Sequence, residues 1–185
     1  MKSLQLQKPH FLVTVGLPGA GKSFFASQFS ETFSAPYLDY NYYRATAGNE
    51  KVAVELASHT FNQLLRTNQT IVLEGIGSIK DERQELATVA KKHGYGILYI
   101  WVQTEPQTSM RRLANSTTGH MSNEAFVEAA EKFDIFQRGE NFVVISGRHT
   151  YATQAKAVLR RLVSDRPTTT RTIQQSVPNR GRIIG

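Results

Sequence analysis

Phe11-Leu12-Val13-Thr14-Val15-Gly16-Leu17-Pro18-Gly19-Ala20-Gly21-Lys22-Ser23 joins an apolar, β-favouring run to a glycine-rich turn, and a helical pattern from Phe24 to Phe33 follows. Gly16 to Ser23 fill every fixed position of the phosphate-binding pattern Gly-x4-Gly-Lys-Ser/Thr. Residues without a Cβ let successive backbone N–H groups curl around an anion at no steric cost. The stretch from Leu17 through Pro18, Gly19, Ala20, Gly21, Lys22 and Ser23 to Phe24 is therefore expected to line a nucleotide's phosphates. Lys22 meets the outer phosphates, Ser23 offers a hydroxyl to Mg²⁺, and the helix they open turns its positive end toward the anion. A chance glycine-rich turn is the competing reading, and the apolar strand before it and the helix after it disfavour that.

Outward from this stretch, short apolar runs alternate with helical patterns. Strands are expected at 11–15, Tyr37-Leu38, 70–74, 97–102 and 142–146. Val54, Ala57, Phe61 and Leu64 mark one helix by their three-and-four spacing; Leu86, Val89, Ala90 and His93 mark another. A last helix runs from Tyr151 to Val163, with Ala155, Val158, Leu159 and Leu162 as its buried stripe. Strands each followed by helices predict an α/β fold with a parallel sheet covered on both faces, whose ligands gather at the carboxyl ends of the strands. One block departs from this rhythm. Glu105-Pro106 opens a helix through Arg111-Arg112, a polar stretch follows to Gly119, and a second helix starts at Ser122 with Phe126, Ala129, Ala130 and Phe133 on one side. Such a pair, about 105–136, fits a lid over bound phosphates; an ordinary surface hairpin is the alternative.

The chain has 185 residues, 40% of them hydrophobic, enough for one well-buried core. One domain over residues 1–164 is expected. No stretch approaches the roughly twenty apolar residues of a membrane span, and the first residues lack the apolar core of a secretory signal. Without cysteine, disulfides, thiolate metal sites and cysteine nucleophiles are excluded, so a cytoplasmic home is expected. Five histidines lie scattered without ligand spacing. The net charge is +7, and residues 166–185 hold four arginines and no acid, leaving +3 on the rest. That basic tail, 165–185, is expected to be disordered: it either holds phosphates on nucleic acid or serves as a solubilising end without a partner.

Taken together, the phosphate loop, the run Asp39-Tyr40-Asn41-Tyr42-Tyr43-Arg44, the strand ending in Glu74 before Asp81-Glu82-Arg83, and Ile97 to Val102 before Arg111-Arg112 resemble a family. It is the small P-loop kinase group that includes phage polynucleotide 5′-kinase, zeta toxin and chloramphenicol phosphotransferase, and the likeness spans about residues 10–164. It implies a P-loop NTPase fold with a five-stranded parallel sheet, ATP with Mg²⁺, and transfer of the γ-phosphoryl group to a hydroxyl of a small molecule or nucleotide. Members carry an aspartate three residues before an arginine after the second strand. Here Arg44 fits the arginine, but Asn41 stands at the aspartate's place, and an amide takes no proton at neutral pH. Asp39 is the nearest carboxylate; it either reaches the acceptor as base, caps the turn, or holds Mg²⁺ through water. The likeness gives Glu74 a magnesium-bound water or the acceptor; an ion pair with an arginine is its structural alternative.

Relatives also present two lid arginines. Arg112, with Arg111 beside it, fits the first and is expected to touch the phosphates, whereas Ser116, Thr117 and Thr118 occupy the place of the second. A slow enzyme, an arginine supplied by Arg148 or the tail, or no catalysis each fits that departure. Tyr37, Tyr40, Tyr42 and Tyr43 lie where an acceptor enters, and either stack on it or pack a helix to the sheet. Ser146-Gly147-Arg148-His149 stands where related kinases wrap adenine. Three functions thus compete: a phosphotransferase using Lys22, Asp39, Arg44, Glu74 and Arg112; a nucleotide-binding module without catalysis; and a nucleic-acid 5′-end kinase that uses the tail.

Overall fold

His10–Val15 forms the central strand, β1, and all six of its residues are buried. This comes from a computed structural model that describes residues 4, 6–115 and 121–164. The phosphate-loop turn leads into α1, Lys22–Phe33. Then come β2 (Tyr37–Asp39), α2 (Tyr40–Ala47), α3 (Glu50–Leu65), β3 (Ile71–Glu74), α4 (Lys80–Lys92), β4 (Gly96–Gln103), α5 (Pro106–Ala114), α6 (Asn123–Glu131), β5 (Phe142–Ser146) and α7 (Tyr151–Ser164). All strand pairings are parallel, in the order β2-β3-β1-β4-β5. The expected five-stranded parallel sheet with helices on both faces is therefore the observed fold.

The alternation of side chains along each strand divides the core in two. Leu12, Val72, Leu98 and Ile100 face α1 and α7, where they meet Phe25, Phe29, Val158 and Leu162. Phe11, Val13, Val15, Leu73 and Tyr99 face the other way, against Phe61 of α3 and Leu86 of α4. Both sets are nearly solvent-free, so the sheet is a rigid platform that presents its carboxyl edge to ligands.

Several expectations need correction. Residues 40–47 are a helix, not a turn: the Asp39 side chain caps α2 by accepting from the Asn41 N–H, and Gly48, at φ +65°, ends it. In α3, Val54 points outward at 46% exposure and Ala53 takes its place in the stripe, because Ala53, Ala57 and Phe61 share one face at four-residue spacing. In α4, His93 is the exposed C-cap, and the buried stripe begins instead with Arg83, whose charge is neutralised internally. The α5–α6 pair lies between β4 and β5 as expected, with Phe126 buried. The 116–120 connection, including Ser116, Thr117 and Thr118, and the 165–185 tail lie outside the described residues. No helix among the described residues is long and apolar enough to cross a membrane.

Candidate functional site

Three glycines of the phosphate loop hold positive φ: Gly16 at +138°, Gly19 at +73° and Gly21 at +106°. At two of them space is as decisive as torsion. A Cβ on Gly16 would collide with the Val102 carbonyl of β4, and one on Gly19 with the Ser109 carbonyl of α5. The loop is thus clasped between the sheet and α5. Gly21 takes the left-handed N-cap position of α1, so Lys22 and Ser23 stand in its first turn. The Lys22 ammonium donates to the Leu17 carbonyl across the loop at 3.1 Å. Burial pushes its pKa down, while the charges of Glu74 and Asp39 pull it back up.

Glu74 is the carboxylate that meets Ser23. Parallel register sets Asp39 beside Glu74 and Tyr37 beside Val72, which places Tyr37, Asp39 and Glu74 on the α1 side of the sheet. Glu74 is 2% exposed. Its Oε1 accepts from the Ser23 hydroxyl at 2.7 Å, and its Oε2 accepts from the Tyr37 hydroxyl at 2.5 Å. Burial lifts the Glu74 carboxyl above its ordinary range against those two hydrogen bonds and the Lys22 charge, and nearby Asp39 adds to the rise. The Tyr37 phenol is likewise pushed up, first by burial and then by its bond to Glu74. Glu74 therefore makes no ion pair with an arginine among the described residues; its structural alternative is set aside.

Arg44 and Asn41 meet at the loop after β3. The Arg44 Nη1 donates to the Gly75 carbonyl at 2.9 Å and its Nε pairs with Glu50 at 3.1 Å, on a partly exposed guanidinium. Gly75, at φ +79°, lies directly under Asn41: a Cβ there would stand 2.9 Å from the Asn41 side chain. The amide at the expected base position is thus packed against this loop. Tyr43 hydrogen-bonds Thr60 and Tyr40 packs on the α3 side of the core, while Tyr42 is exposed. Of the tyrosine run, only Tyr37 enters the carboxylate cluster, a role that residue type alone does not announce. The register of β2 on β3 is the signal that finds it.

Arg112 of α5 reaches the donor loop. Its Nη1 donates to the Ala20 carbonyl at 3.3 Å and its Nη2 to the Gly147 carbonyl at 3.0 Å. This single guanidinium joins α5, the phosphate loop and the turn after β5, where the family resemblance puts adenine. Phe24 stands next to Ser23 with its ring 60% exposed. Arg148 is exposed and pairs with Glu105 at 3.3 Å. Both line the rim of a cavity of about 970 Å³ whose apolar wall includes Leu17, Trp101, Phe133 and Val144. The lining draws on both sheet faces, Trp101 and Phe133 from one and Val102 and Ile145 from the other, so the cavity lies across the carboxyl edge.

The donor set suits a hard cation. A hydroxyl and a buried carboxylate lie side by side at the mouth of the phosphate loop, and Mg²⁺ is commonly held by one or two such oxygens together with nucleotide phosphates. No cluster of three or more His, Asp or Glu ligands occurs among the described residues.

A family model described as an AAA domain matches residues 11–132, about two thirds of the sequence. The chain belongs to the AAA domain family. Solved structures place this AAA-domain protein among small P-loop kinases in fold. A gluconokinase from Sinorhizobium meliloti 1021 superposes with a TM-score of 0.64 at 15% identity, covering 84% of this chain and 93% of that one. A sugar kinase from Janibacter sp. superposes with a TM-score of 0.59 at 11% identity, covering 84% of this chain and 95% of that one. No curated protein matches the sequence.

Proposed function

We propose that this AAA-domain protein is an ATP-dependent phosphotransferase that moves the γ-phosphoryl group to a hydroxyl of a small molecule or nucleotide. The observation that carries the reading is the buried Ser23–Glu74 pair set against Lys22 and Asp39 at the carboxyl ends of parallel strands. Phosphoryl transfer needs mainly positioning and charge neutralisation, and this edge supplies both. The loop amides, Lys22 and the α1 N-terminus hold the phosphates, and Ser23 with Glu74 would hold Mg²⁺. An ion held there would supply charge neutralisation to the transferred group.

Asp39 is the base in this reading. Its Oδ1 accepts the Asn41 N–H, which fixes the carboxylate and leaves Oδ2 for the acceptor's proton as the new P–O bond forms and ADP departs. Arg44 and Asn41 orient the acceptor across the Gly75 loop, and Arg112 carries positive charge to the phosphates from α5. A kinase-like binder without transfer is the second reading, favoured by the amide at Asn41. Nucleic acid as the acceptor rests on the 165–185 tail, outside the described residues.

The test is label transfer from γ-labelled ATP to a panel of hydroxyl acceptors, beside ATP-induced thermal stabilisation. Lys22→Ala is expected to abolish that stabilisation, which for the native protein should be about 2.7 kcal/mol at a nucleotide concentration one hundred times Kd. Stabilisation retained by Lys22→Ala overturns the donor site; tight ATP binding with neither transfer nor hydrolysis selects the binding module.

A further inference from the structure

Glu74 is held at both oxygens by hydroxyl groups, and the one on Tyr37 belongs to no part of the phosphate loop. From this geometry we infer that Tyr37 is a positioning residue: it fixes the rotation of the Glu74 carboxylate so that Oε1 faces Ser23 and the metal position. The inference rests on the proposed nucleotide site and deepens it.

The ring of Tyr37 sits on β2 and packs against the α1-side core, so its hydroxyl is delivered by a rigid element with few rotamers. Glu74 by contrast ends a short strand of four buried residues, and its carboxylate is free to turn about its last bond unless a partner holds each oxygen. With Tyr37 in place Oε2 is occupied, and Oε1 is left to Ser23. Lys22 donates to the Leu17 carbonyl and takes no part in holding the carboxylate.

Tyr37→Phe removes only the hydroxyl and keeps the ring in its packing. Isothermal titration of ATP in MgCl₂, and again in EDTA, reads the enhancement of affinity by Mg²⁺. The enhancement is expected to fall roughly tenfold or more in Tyr37→Phe, the scale of a hydrogen bond to a charged group, while affinity in EDTA changes less than about twofold. In a Glu74→Gln background the same substitution should change the enhancement by less than about twofold, because a residue acting through Glu74 has nothing left to position. Additive losses in the double variant, or an enhancement equal to the native one in Tyr37→Phe, overturn the inference and leave the nucleotide site standing. Absence of ATP binding by the native protein overturns both.

Discussion

Glu74 and Arg83 are both almost solvent-free, at 2% and 1% exposure, yet the protein settles their charges in opposite ways. Arg83 lies on α4 among a complete set of partners. Its Nε donates to Glu140 Oε1 at 2.6 Å, its Nη2 leans on Oε2, and its Nη1 reaches the carbonyls of Gly77, Ser78 and Asp134. The Phe136 ring lies 4.4 Å from the guanidinium carbon. Burial pushes the Glu140 carboxyl up, but the Arg83 bond, the Gln137 N–H and the charges of Arg83 and Lys80 outweigh it and hold it below its usual range. Glu74 meets only two hydroxyls, and its pKa goes up. A buried ion with every donor satisfied and a counter-ion beside it is architecture. A buried carboxylate short of positive charge, at the ligand edge of a parallel sheet, is where our proposal puts a cation.

The sharpest way to break this contrast is to remove the saturated cation. Arg83 pins the loop after β3 to the stretch after α6, where the Lys80 N–H also bonds Asp134 and the Asp134 N–H bonds Ser78. Arg83→Leu leaves Glu140 without its counter-ion and the Gly77 and Asp134 carbonyls without their donor, and urea unfolding is expected to show a loss of about 3–5 kcal/mol. ATP affinity below the unfolding transition should stay within about twofold of native, since Arg83 touches neither the phosphate loop nor Glu74. A large affinity loss in well-folded Arg83→Leu would place it in the ligand site and dissolve the distinction.

Glu74 gives the next effect in size, and its sign follows from the raised pKa. Unfolded Glu74 loses its proton near the ordinary value of about 4.3, whereas the folded protein keeps that proton to higher pH. Between those two values the folded state binds more protons, so stability is greatest below the window and falls as pH rises through it, by at most about 1.4 kcal/mol per pH unit. Urea midpoints for the ligand-free protein from pH 4 to 7 should show this decline, and Glu74→Gln should lack it. Saturating ATP with Mg²⁺ should flatten the native slope, because a bound cation lowers the pKa of the carboxylate it meets. Identical slopes in native and Glu74→Gln protein would mean that Glu74 is not the under-neutralised group.

How much of this is visible before folding differs between the two clusters. The phosphate loop is local: glycine spacing, a lysine and a serine lie within eight residues, and the flanking strand and helix are legible from periodicity. The end of β3 is local too, which is why Glu74 stands out. Tyr37 reaches Glu74 only through the register of two parallel strands that a helical pair separates in sequence, and no short-range pattern carries that register. Helix α2 escapes because Tyr40, Tyr42 and Tyr43 favour strands by type; the Asp39 cap and Gly48 terminator outlining it are the signals that override them. Arg83 is missed for a different reason. Charged residues on a helix are normally solvent-facing, and only its spacing to Leu86 and Ala90 puts it on the buried stripe.

The smallest expected effect tests where positive charge reaches the site. Arg112 bonds the Ala20 carbonyl within the phosphate loop, whereas Arg148 spends its charge on Glu105, in a pair whose side chains are 62% and 70% exposed. Such exposed pairs contribute little, so Arg148→Ala should move the unfolding free energy by no more than about 0.5 kcal/mol. Its effect on turnover decides more. An arginine that touches the transferred phosphoryl group is worth about 10³–10⁵ in kcat. Arg148 is exposed and tied to Glu105, so kcat in Arg148→Ala should stay within about twofold of native, while Arg112→Ala should lower it by about tenfold or more through loss of a charged contact to the phosphates. A loss of a thousandfold in Arg148→Ala would show that this guanidinium leaves Glu105 during turnover and takes the role for which the lid sequence supplies only one arginine position.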